Sequence, residues 1–331
     1  MVTIKDIARR LGVSISTVSK GLNGGNDISE SLRQQILDTA VEMGYSTKRS
    51  KKAENRRVCV MIDNMKYENT EDFGYDIILG FRQNAFQHQW DVRILPITPE
   101  FQRSEKYDTF LLKNGYCGAF LVGLSLQDPW LEQFHSTTMP TVLLDNYIAY
   151  NANVSCIGTD SYEGIDLAVR HLYSLGHRKI AFLNGSRDSL VTQQRQESFE
   201  NTMSSLHLTP QTELMGYGVY TADSAKDFVP GFIDAGASAI ICGSDLIAQG
   251  VYAECAKRGL SIPEDISIVG FDDLPVASAM FPALTTIRQD RNELGRGAFA
   301  TLNSLIHHIS ISQTLMRPQL IQRESTCRVR E

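Results

Sequence analysis

The sequence predicts an all-α helix-turn-helix domain at the amino terminus, followed by an α/β body of two doubly wound parallel-sheet subdomains. The first 45 residues place apolar side chains at helical spacing. Residues 46–57 (STKRSKKAENRR) contain no large apolar side chain, and short β-rich apolar runs alternate with helical stretches from Val58 onward. The predicted domains are therefore residues 1–45, a basic linker 46–57, and a body 58–331.

Three short helices are predicted in the first domain, each marked by capping residues. Thr3 and Asp6 fit a capping box that opens a helix from Ile4 to Leu11, which Gly12 ends. Ser14 caps a second helix that extends to about Leu22. Ser29 caps a third helix, which closes at Gly44. The polar residues 23–27 form the loop between the last two.

The body shows the strand–helix alternation that is typical of parallel sheets with right-handed crossovers. The predicted strands are Val58–Ile62, Val92–Leu95, Gly118–Val122, Thr141–Leu144, Lys179–Leu183, Ala239–Cys242 and Ile266–Phe271. The predicted helices between them include Asp76–His88, Tyr162–Leu175, Gln194–Leu206 and Leu246–Arg258. Because about 270 residues is large for one such sheet, two α/β subdomains with a cleft between them are expected.

Charge is distributed unevenly along the chain. Its net charge is −6, yet residues 1–57 hold 11 Lys and Arg against 6 Asp and Glu. A small basic module on an acidic body indicates a nucleic-acid partner for that module alone. The sequence shows no signal peptide and no membrane-spanning run, and its six cysteines form no closely spaced pair. We therefore expect a cytoplasmic protein with buried free thiols, no metal site and no cofactor.

Two short helices joined by a Gly-containing turn in a basic terminal module predict a DNA-binding helix-turn-helix. The second helix presents Ile15, Ser16, Thr17 and Lys20 outward, where an ammonium suits guanine and Ile15 suits a thymine methyl group. Lys5 and Ser19 are placed to contact phosphates. The alternative is a helical hairpin that only docks on the body.

The first 45 residues also resemble a known family. The stretch VTIKDIARRLGVSISTVSKGLNGGNDISESLRQQILDTAVEMGY is similar to the N-terminal domain of the LacI (lactose-repressor) family of transcriptional regulators. MPTVLLDN, HLYSLGHRKIAFLNG, IPEDISIVGFDD and PALTTIRQDRNELG resemble the family's effector domain, which is like a periplasmic sugar-binding protein. The resemblance implies base contacts from Ile15, Ser16 and Lys20, and control of DNA binding by a small-molecule effector, a sugar or sugar derivative.

By the same resemblance, the family's effector-binding positions fall on polar and aromatic residues of the body: Phe73, Asp145, Arg195, Tyr220, Ser244, Asp245, Asp272 and Gln289. Carboxylates and amides suit sugar hydroxyls, and aromatic rings cover the apolar face of a sugar. Alternatives stay open: Asp272 as a helix N-cap, Asp145 as a turn residue and Tyr220 as core packing. Arg195 is expected near the start of its helix, where the dipole disfavours a cation and so favours a ligand role. Ser244 replaces an asparagine that is usual in the family.

The linker departs from the family pattern. Family members carry a proline and an Ala-Arg-Ser-Leu segment that folds on DNA, and its leucine wedges into the minor groove. Thr47 stands in place of the proline, no leucine occurs between residues 46 and 57, and six of the ten residues from Lys48 to Arg57 are basic. We expect the linker to contact phosphates without intercalating, or to act as a flexible tether.

The sequence also bears on two other classes of function. The sequence contains no GxGxxG, P-loop or GxSxG motif, so no enzyme is predicted. A small-molecule receptor without sequence-specific DNA binding is the alternative to a regulator. Because one helix-turn-helix makes few base contacts, we expect a homodimer on a pseudo-palindromic operator, with Ile77–Phe86 contributing to the interface and no tetramer.

Overall fold

The computed structural model describes residues 2–25, 27–45 and 56–329. The three predicted amino-terminal helices are confirmed as α1 (Ile4–Leu11), α2 (Ile15–Asn23) and α3 (Glu30–Glu42). Most of the predicted linker, including Thr47, lies outside the described residues.

The predicted caps account for the helix boundaries in this N-terminal helical domain, residues 2–45. The backbone N–H of Thr3 donates to the Asp6 carboxylate at 2.9 Å. Ser14 Oγ accepts from the backbone N–H of Thr17 at 3.0 Å, and Ser29 Oγ accepts from that of Leu32 at 3.3 Å. Gly12 ends α1 with φ 67°, a left-handed conformation that glycine adopts without strain. Local chemistry therefore sets each helix end.

The core of this domain is a small cluster of apolar side chains from all three helices. Ile7, Val18 and Ile36 are fully buried at its centre. A β-carbon on Gly21 would lie 2.7 Å from Ile36 Cδ1, so only glycine lets α2 pack this closely on α3. The cluster fixes the orientation of α2 within the domain.

The chain divides into two compact units. The first contains the N-terminal helical domain together with residues 56–65, 78–157 and 295–314, and the second contains residues 66–77, 158–294 and 315–329. The prediction of two α/β subdomains is confirmed by two six-stranded sheets, one for each unit. The three N-terminal helices belong to the first unit through their contacts and do not form a unit of their own.

The first sheet has the order β11-β5-β4-β3-β1-β2. Its strands are β1 (Arg57–Ile62), β2 (Asp91–Pro96), β3 (Ala119–Val122), β4 (Thr141–Leu144), β5 (Val154–Thr159) and β11 (Gln313–Met316). The associated helices are α4 (Phe73–Gln87), α5 (Pro99–Ser104), α6 (Tyr107–Asn114), α7 (Leu131–Phe134) and α13 (Arg291–Ile306). The pairs among β1 to β5 are parallel, as predicted.

The second sheet has the order β12-β10-β9-β8-β6-β7. Its strands are β6 (Ile180–Asn184), β7 (Met215–Tyr217), β8 (Ala239–Cys242), β9 (Ser267–Asp272), β10 (Thr285–Arg288) and β12 (Gln319–Ile321). The associated helices are α8 (Ser161–Ser174), α9 (Leu190–Ser205), α10 (Ala225–Asp234), α11 (Asp245–Lys257) and α12 (Pro275–Ala279). The sheet is dominated by parallel pairs, as predicted, and β12 departs from them by running antiparallel to β10.

Alternate residues of each central strand serve opposite faces of the sheet. In β8, Ala239 and Ile241 pack with α8 and α9, whereas Ile240 and Cys242 pack with α10 and α11. This two-sided burial explains why the strands are continuous apolar runs in the sequence. The six cysteines, all within the described residues, form no disulfide, and Cys117 and Cys327 are half-buried although buried thiols were predicted. No helix in the described ranges is long and apolar enough to cross a membrane.

Candidate functional site

The exposed face of α2 brings together the residues that were predicted to contact bases. Ile15 is 50% exposed, which is unusual for a large aliphatic side chain in a small domain, and Ser16 and Lys20 are exposed beside it. Ser14 is the N-cap and α2 begins at Ile15, so these side chains lie within its first two turns. Such an arrangement suits insertion of the helix amino terminus into a major groove.

Hydroxyl groups near the start of α2 form a local network. Ser14 Oγ lies 2.7 Å from Ser16 Oγ and 2.8 Å from Thr17 Oγ1. Thr17 is half-buried, so it offers less surface to a duplex than predicted. Ser19 accepts a hydrogen bond from the Asn23 amide at 3.2 Å, and Lys5 is exposed on α1.

Lys20 forms an ion pair that the sequence did not reveal. Its ammonium donates to the Asp27 carboxylate in the loop after α2. This hydrogen bond lowers the pKa of Asp27, so the carboxylate stays charged. A β-carbon on Gly25 would lie 3.1 Å from Lys20 Cβ and 3.2 Å from Asp27 Oδ1, so the glycine leaves room for the pair. Lys20, which is predicted to contact bases, therefore has an internal acidic partner.

A second group of predicted residues lies at the carboxyl ends of parallel strands in the second unit. Gly243 and Ser244 follow β8, Asp272 ends β9 and Gln289 follows β10. Parallel strands present their carboxyl ends at one edge of a sheet, which is where ligands bind in open α/β folds. The polar residues at or near these strand ends are called the strand-end cluster. Its members are Arg195, Ser244, Asp245, Asp272, Gln289 and Arg291.

Arg195 is the clearest ligand-binding candidate in the strand-end cluster. It is only 3% exposed, its guanidinium stacks 3.7 Å above the Phe271 ring, and it donates to the Gly243 carbonyl at 2.7 Å. Its Nε has no hydrogen-bond partner within the described part of the chain. Because buried donors are nearly always paired, this nitrogen indicates a polar group supplied from outside. The dipole argument for Arg195 was wrong, since α9 begins at Leu190 and places Arg195 in its second turn.

Asp272 is held in an uncommon conformation. Its φ of 111° is strained for any residue except glycine, and its carboxylate accepts from the Gln289 amide at 2.7 Å. Burial raises the pKa of Asp272 to about 6, while the charges of Arg195 and Arg291 act in the opposite direction. The alternative that Asp272 caps a helix is wrong, because Leu274 precedes α12 at that position.

The structure gives Asp245 and Ser244 internal partners. Asp245 is fully buried, and its carboxylate accepts from Thr286 Oγ1 at 2.6 Å and from the backbone N–H of Leu274 at 2.7 Å. Burial raises the pKa of Asp245 well above its ordinary value. Ser244 Oγ accepts from the backbone N–H of Ile247 at 3.2 Å and caps α11. The prediction of direct effector contact does not fit Asp245, because neither carboxylate oxygen reaches the surface.

The three remaining predicted residues have different settings. Tyr220 donates to or accepts from Thr192 Oγ1 at 2.7 Å, and its ring lies against Gly185, where a β-carbon would approach within 2.1 Å. Phe73 is half-buried at the start of α4, in the second unit. Asp145 follows β4 in the first unit with φ 56°, a turn conformation. Effector contact by Phe73, Asp145 and Tyr220 stays a prediction.

Sequence reasoning missed Arg291. This residue is 8% exposed, pairs with Asp76 at 2.9 Å, and has a second guanidinium nitrogen without a partner in the described residues. It opens α13, where a helix dipole disfavours a cation. A cation at this unfavourable position, two residues after Gln289, was the signal in the sequence that could have identified Arg291. Arg195 and Arg291 thus bring two unsatisfied buried donors near Asp272.

Comparisons with known proteins now bear on this geometry. Residues 3–48 match the family described as bacterial regulatory proteins, lacI family, and residues 169–326 match a periplasmic binding protein-like domain. The HTH-type transcriptional repressor PurR of Actinobacillus pleuropneumoniae serotype 3 (strain JL03) is 28% identical over 329 residues, covering 97% of this chain and 95% of its own length. The repressor CytR of Escherichia coli (strain K12) is 26% identical over 333 residues, covering 98% and 96%.

The chain belongs to the LacI family of bacterial regulatory proteins. It is a DNA-binding transcriptional repressor with a ligand-binding domain, and its relatives are repressors and not enzymes.

Solved structures agree with the fold of this LacI-family repressor. The transcriptional regulator CelR in complex with cellobiose has a TM-score of 0.74 at 23% identity, covering 98% of this chain and all of that one. The Lac repressor dimer bound to operator and the anti-inducer ONPF has a TM-score of 0.70 at 23% identity, covering 98% and 99%. The helix-turn-helix and the periplasmic-binding-protein-like body are thereby confirmed.

Proposed function

We propose that this repressor binds a pseudo-palindromic operator as a homodimer, and that a carbohydrate or sugar derivative bound at the strand-end cluster controls its operator affinity. Ile15, Ser16 and Lys20 contact bases in this proposal. Lys5 and Ser19 contact phosphates, and Thr17 supports the start of α2. The complexes of similar regulators with cellobiose and with ribose support the effector class.

One observation carries the effector proposal. Arg195 and Arg291 are buried guanidinium groups with unsatisfied N–H donors within the described residues, and both act on the Asp272 carboxylate. Donors beside an acceptor match the vicinal hydroxyls of a sugar, each of which both donates and accepts. In this arrangement Arg195 donates, Asp272 accepts and Gln289 orients Asp272. Asp245 positions the β9–α12 connection without touching the effector.

A thermal-shift screen of the full chain against sugars, sugar phosphates and nucleobases tests this proposal. A bound compound raises the free energy of unfolding by about 2.7 kcal/mol at a hundredfold excess over its Kd. Arg195→Met keeps the apolar stem but removes the donors, so it abolishes the shift. Arg187→Met is the matched control, because Arg187 is exposed in the same unit and stacks on Tyr217.

The same compound must also change DNA affinity if it is the effector. Thermodynamic linkage requires that operator binding change the compound's affinity by the same factor as the compound changes operator affinity. Anisotropy titrations with labelled operator, with and without the compound, measure the change in operator affinity. Calorimetric titrations of the compound, with and without operator, measure the change in affinity for the compound. A compound that binds strongly but leaves operator affinity unchanged contradicts the proposal and favours a receptor without coupled DNA binding.

A further inference from the structure

We propose that α6 is a docking surface for the N-terminal helical domain, and that this contact sets the half-site spacing that the repressor accepts in its operator. The proposal rests on the proposed operator recognition by a homodimer. It assigns α6, in the α/β body, a role in DNA recognition without any contact to DNA.

Three residues on one side of α6 contact the N-terminal helical domain. Leu112 is 8% exposed and joins the apolar cluster formed by α1, α2 and α3. Thr109 is fully buried, and its hydroxyl donates to the Asp38 carboxylate at 2.9 Å. The Lys113 ammonium lies 3.1 Å from the Glu30 carboxylate. An apolar contact flanked by a hydrogen bond and an ion pair restrains both position and rotation.

The opposite side of α6 is anchored in the first unit. Tyr107 and Leu111 are fully buried in the core cluster beneath β1, β3 and β4, and the Tyr107 hydroxyl lies 2.7 Å from Thr141 Oγ1. The Asp108 carboxylate accepts from the backbone N–H and the hydroxyl of Thr138, at 2.9 and 3.0 Å. Because α6 is held so firmly, the domain docked on it follows the orientation of the first unit.

Docking leaves the DNA-contacting face of α2 open. Ile15 remains 50% exposed, and Ser16 and Lys20 are exposed as well. The contact with α6 therefore orients the domain and does not cover its base-contacting residues. In a dimer, two domains held in this way present their α2 helices at one separation, which corresponds to one half-site spacing.

The linker sequence is consistent with a role for such a contact. Residues 46–57 contain no leucine and no other large apolar side chain, so they lack the wedge that fixes the domains on DNA in other family members. A contact between folded surfaces transmits the geometry of the body to α2 without such a wedge.

The test uses the full chain and two kinds of duplex. One is a single half-site, and the other is a series of palindromes whose half-sites are moved apart one base pair at a time. Lys113→Glu places a carboxylate against Glu30, whereas Glu30→Lys combined with Lys113→Glu restores opposite charges. Lys106→Glu is the matched control, because Lys106 is exposed at the amino-terminal cap of the same helix.

We expect Lys113→Glu to retain wild-type affinity for the half-site but to lower the preference for the best spacing by about threefold to tenfold. The double variant recovers most of that preference, and Lys106→Glu keeps all of it. If Lys113→Glu does not fold, Thr109→Val is the substitute variant. It removes the hydroxyl donor but preserves the shape of the side chain, and it should also lower the spacing preference.

Two results would overturn the proposal, and they are distinguishable. If Lys113→Glu and Thr109→Val both retain the wild-type spacing preference, α6 does not set the spacing, although operator recognition stands. If the wild-type protein binds every duplex equally, the proposed operator recognition itself fails, and this inference fails with it.

Discussion

At the scale of single residues, the two candidate sites share one feature: a charged group that already has a partner within the protein. Lys20 is held by Asp27, and Asp272 is held by Gln289 beside two arginines. In each site the internal partner keeps the side chain oriented before the ligand arrives, which lowers the entropy lost on binding. At the Lys20 site, the carboxylate of Asp27 would also compete with the ligand.

We predict that Asp27→Asn strengthens operator binding by a few-fold. The carboxylate competes with guanine and phosphate for the Lys20 ammonium, and its negative charge repels the duplex. Because ion pairs at the surface are weak, the effect is small and decreases at high salt. Operator titrations at two salt concentrations measure the change in affinity. Asp223→Asn is the control, because Asp223 forms an exposed ion pair with Lys226 in the other unit. Weaker binding by Asp27→Asn would mean that the pair orients Lys20 more than it competes.

A pH dependence of effector affinity follows from the raised pKa of Asp272, which is about 6. Above pH 6 the carboxylate is charged and accepts hydroxyl hydrogen bonds, whereas below pH 6 it carries a proton. We therefore predict that effector affinity falls as the pH is lowered from 7 to 5. Calorimetric titrations across this range measure the change, and Asp272→Asn should bind weakly at every pH. A flat profile in the wild-type protein would exclude a carboxylate acceptor at this position.

At the scale of secondary-structure elements, α5 places one amide between two carboxylates, one directly after β1 and one in the connection between β3 and α7. Gln102 donates to Asp63 at 2.9 Å and to Asp128 at 3.2 Å, and all three side chains are buried. Burial, and next the charge of Asp128, raise the pKa of Asp63 to about 6. A raised pKa in the folded state means that this group stabilises the fold at low pH, and that the contribution is lost between about pH 4 and pH 6.

Asp128→Asn should reverse part of that loss. Removing the neighbouring charge lowers the pKa of Asp63, so the variant gains stability relative to wild type as the pH rises from 4 to 7. Urea unfolding midpoints at pH 4, 5.5 and 7 give the difference between the two proteins. Asp227→Asn, an exposed aspartate, should show no such trend. A constant difference between Asp128→Asn and wild type across the pH range would contradict the shared burial of the two carboxylates.

The linker hypothesis also belongs to this scale. With six basic residues and no apolar wedge between Lys48 and Arg57, we predict weak operator bending and a steep salt dependence of affinity. Circular-permutation gel mobility measures the bend. A sharp central kink would show that the linker, or another element, intercalates despite its composition.

Elements with strong local signals were predicted well, whereas those defined by long-range partners were not. Ser14, Ser29 and Gly12 fix helix ends by contacts within one turn, so the three N-terminal helices were predicted from sequence. Strand β12 has only three residues and its direction depends on β10, far away in the chain. The internal roles of Asp245 and Arg291 depend on Thr286 and Asp76 in the same way. The contact of α6 with α3 has no signal in the sequence.

At the scale of the whole molecule, the proposal requires two copies of the chain. The predicted interface segment Ile77–Phe86 is largely buried, with Ile77, Ile78 and Phe81 inside the core. Leu79 and Phe86, seven residues apart on α4, are exposed at 36% and 82%. These two side chains lie two turns apart on one helix face, which narrows the predicted dimer surface to that face.

Phe86→Glu should weaken the dimer, because it places a charge on this apolar face. We expect the variant to sediment as a monomer at concentrations where the wild-type protein is a dimer, and to lose affinity for the palindrome but not for a half-site. Phe281→Glu changes a 95% exposed phenylalanine in the second unit and serves as a comparison. If Phe86→Glu remains a dimer, this face of α4 is not the interface.

The most direct measurement is a competition between a duplex selected from a random library and a scrambled duplex of the same composition, at moderate salt. We predict that wild-type protein prefers the selected duplex by about a thousandfold or more. Lys20→Ala should lower that ratio by about tenfold, whereas Lys226→Ala, which removes an equally exposed Asp-paired lysine from the other unit, should preserve it. Equal affinity of the wild-type protein for both duplexes would contradict the account that α2 distinguishes one base sequence from another.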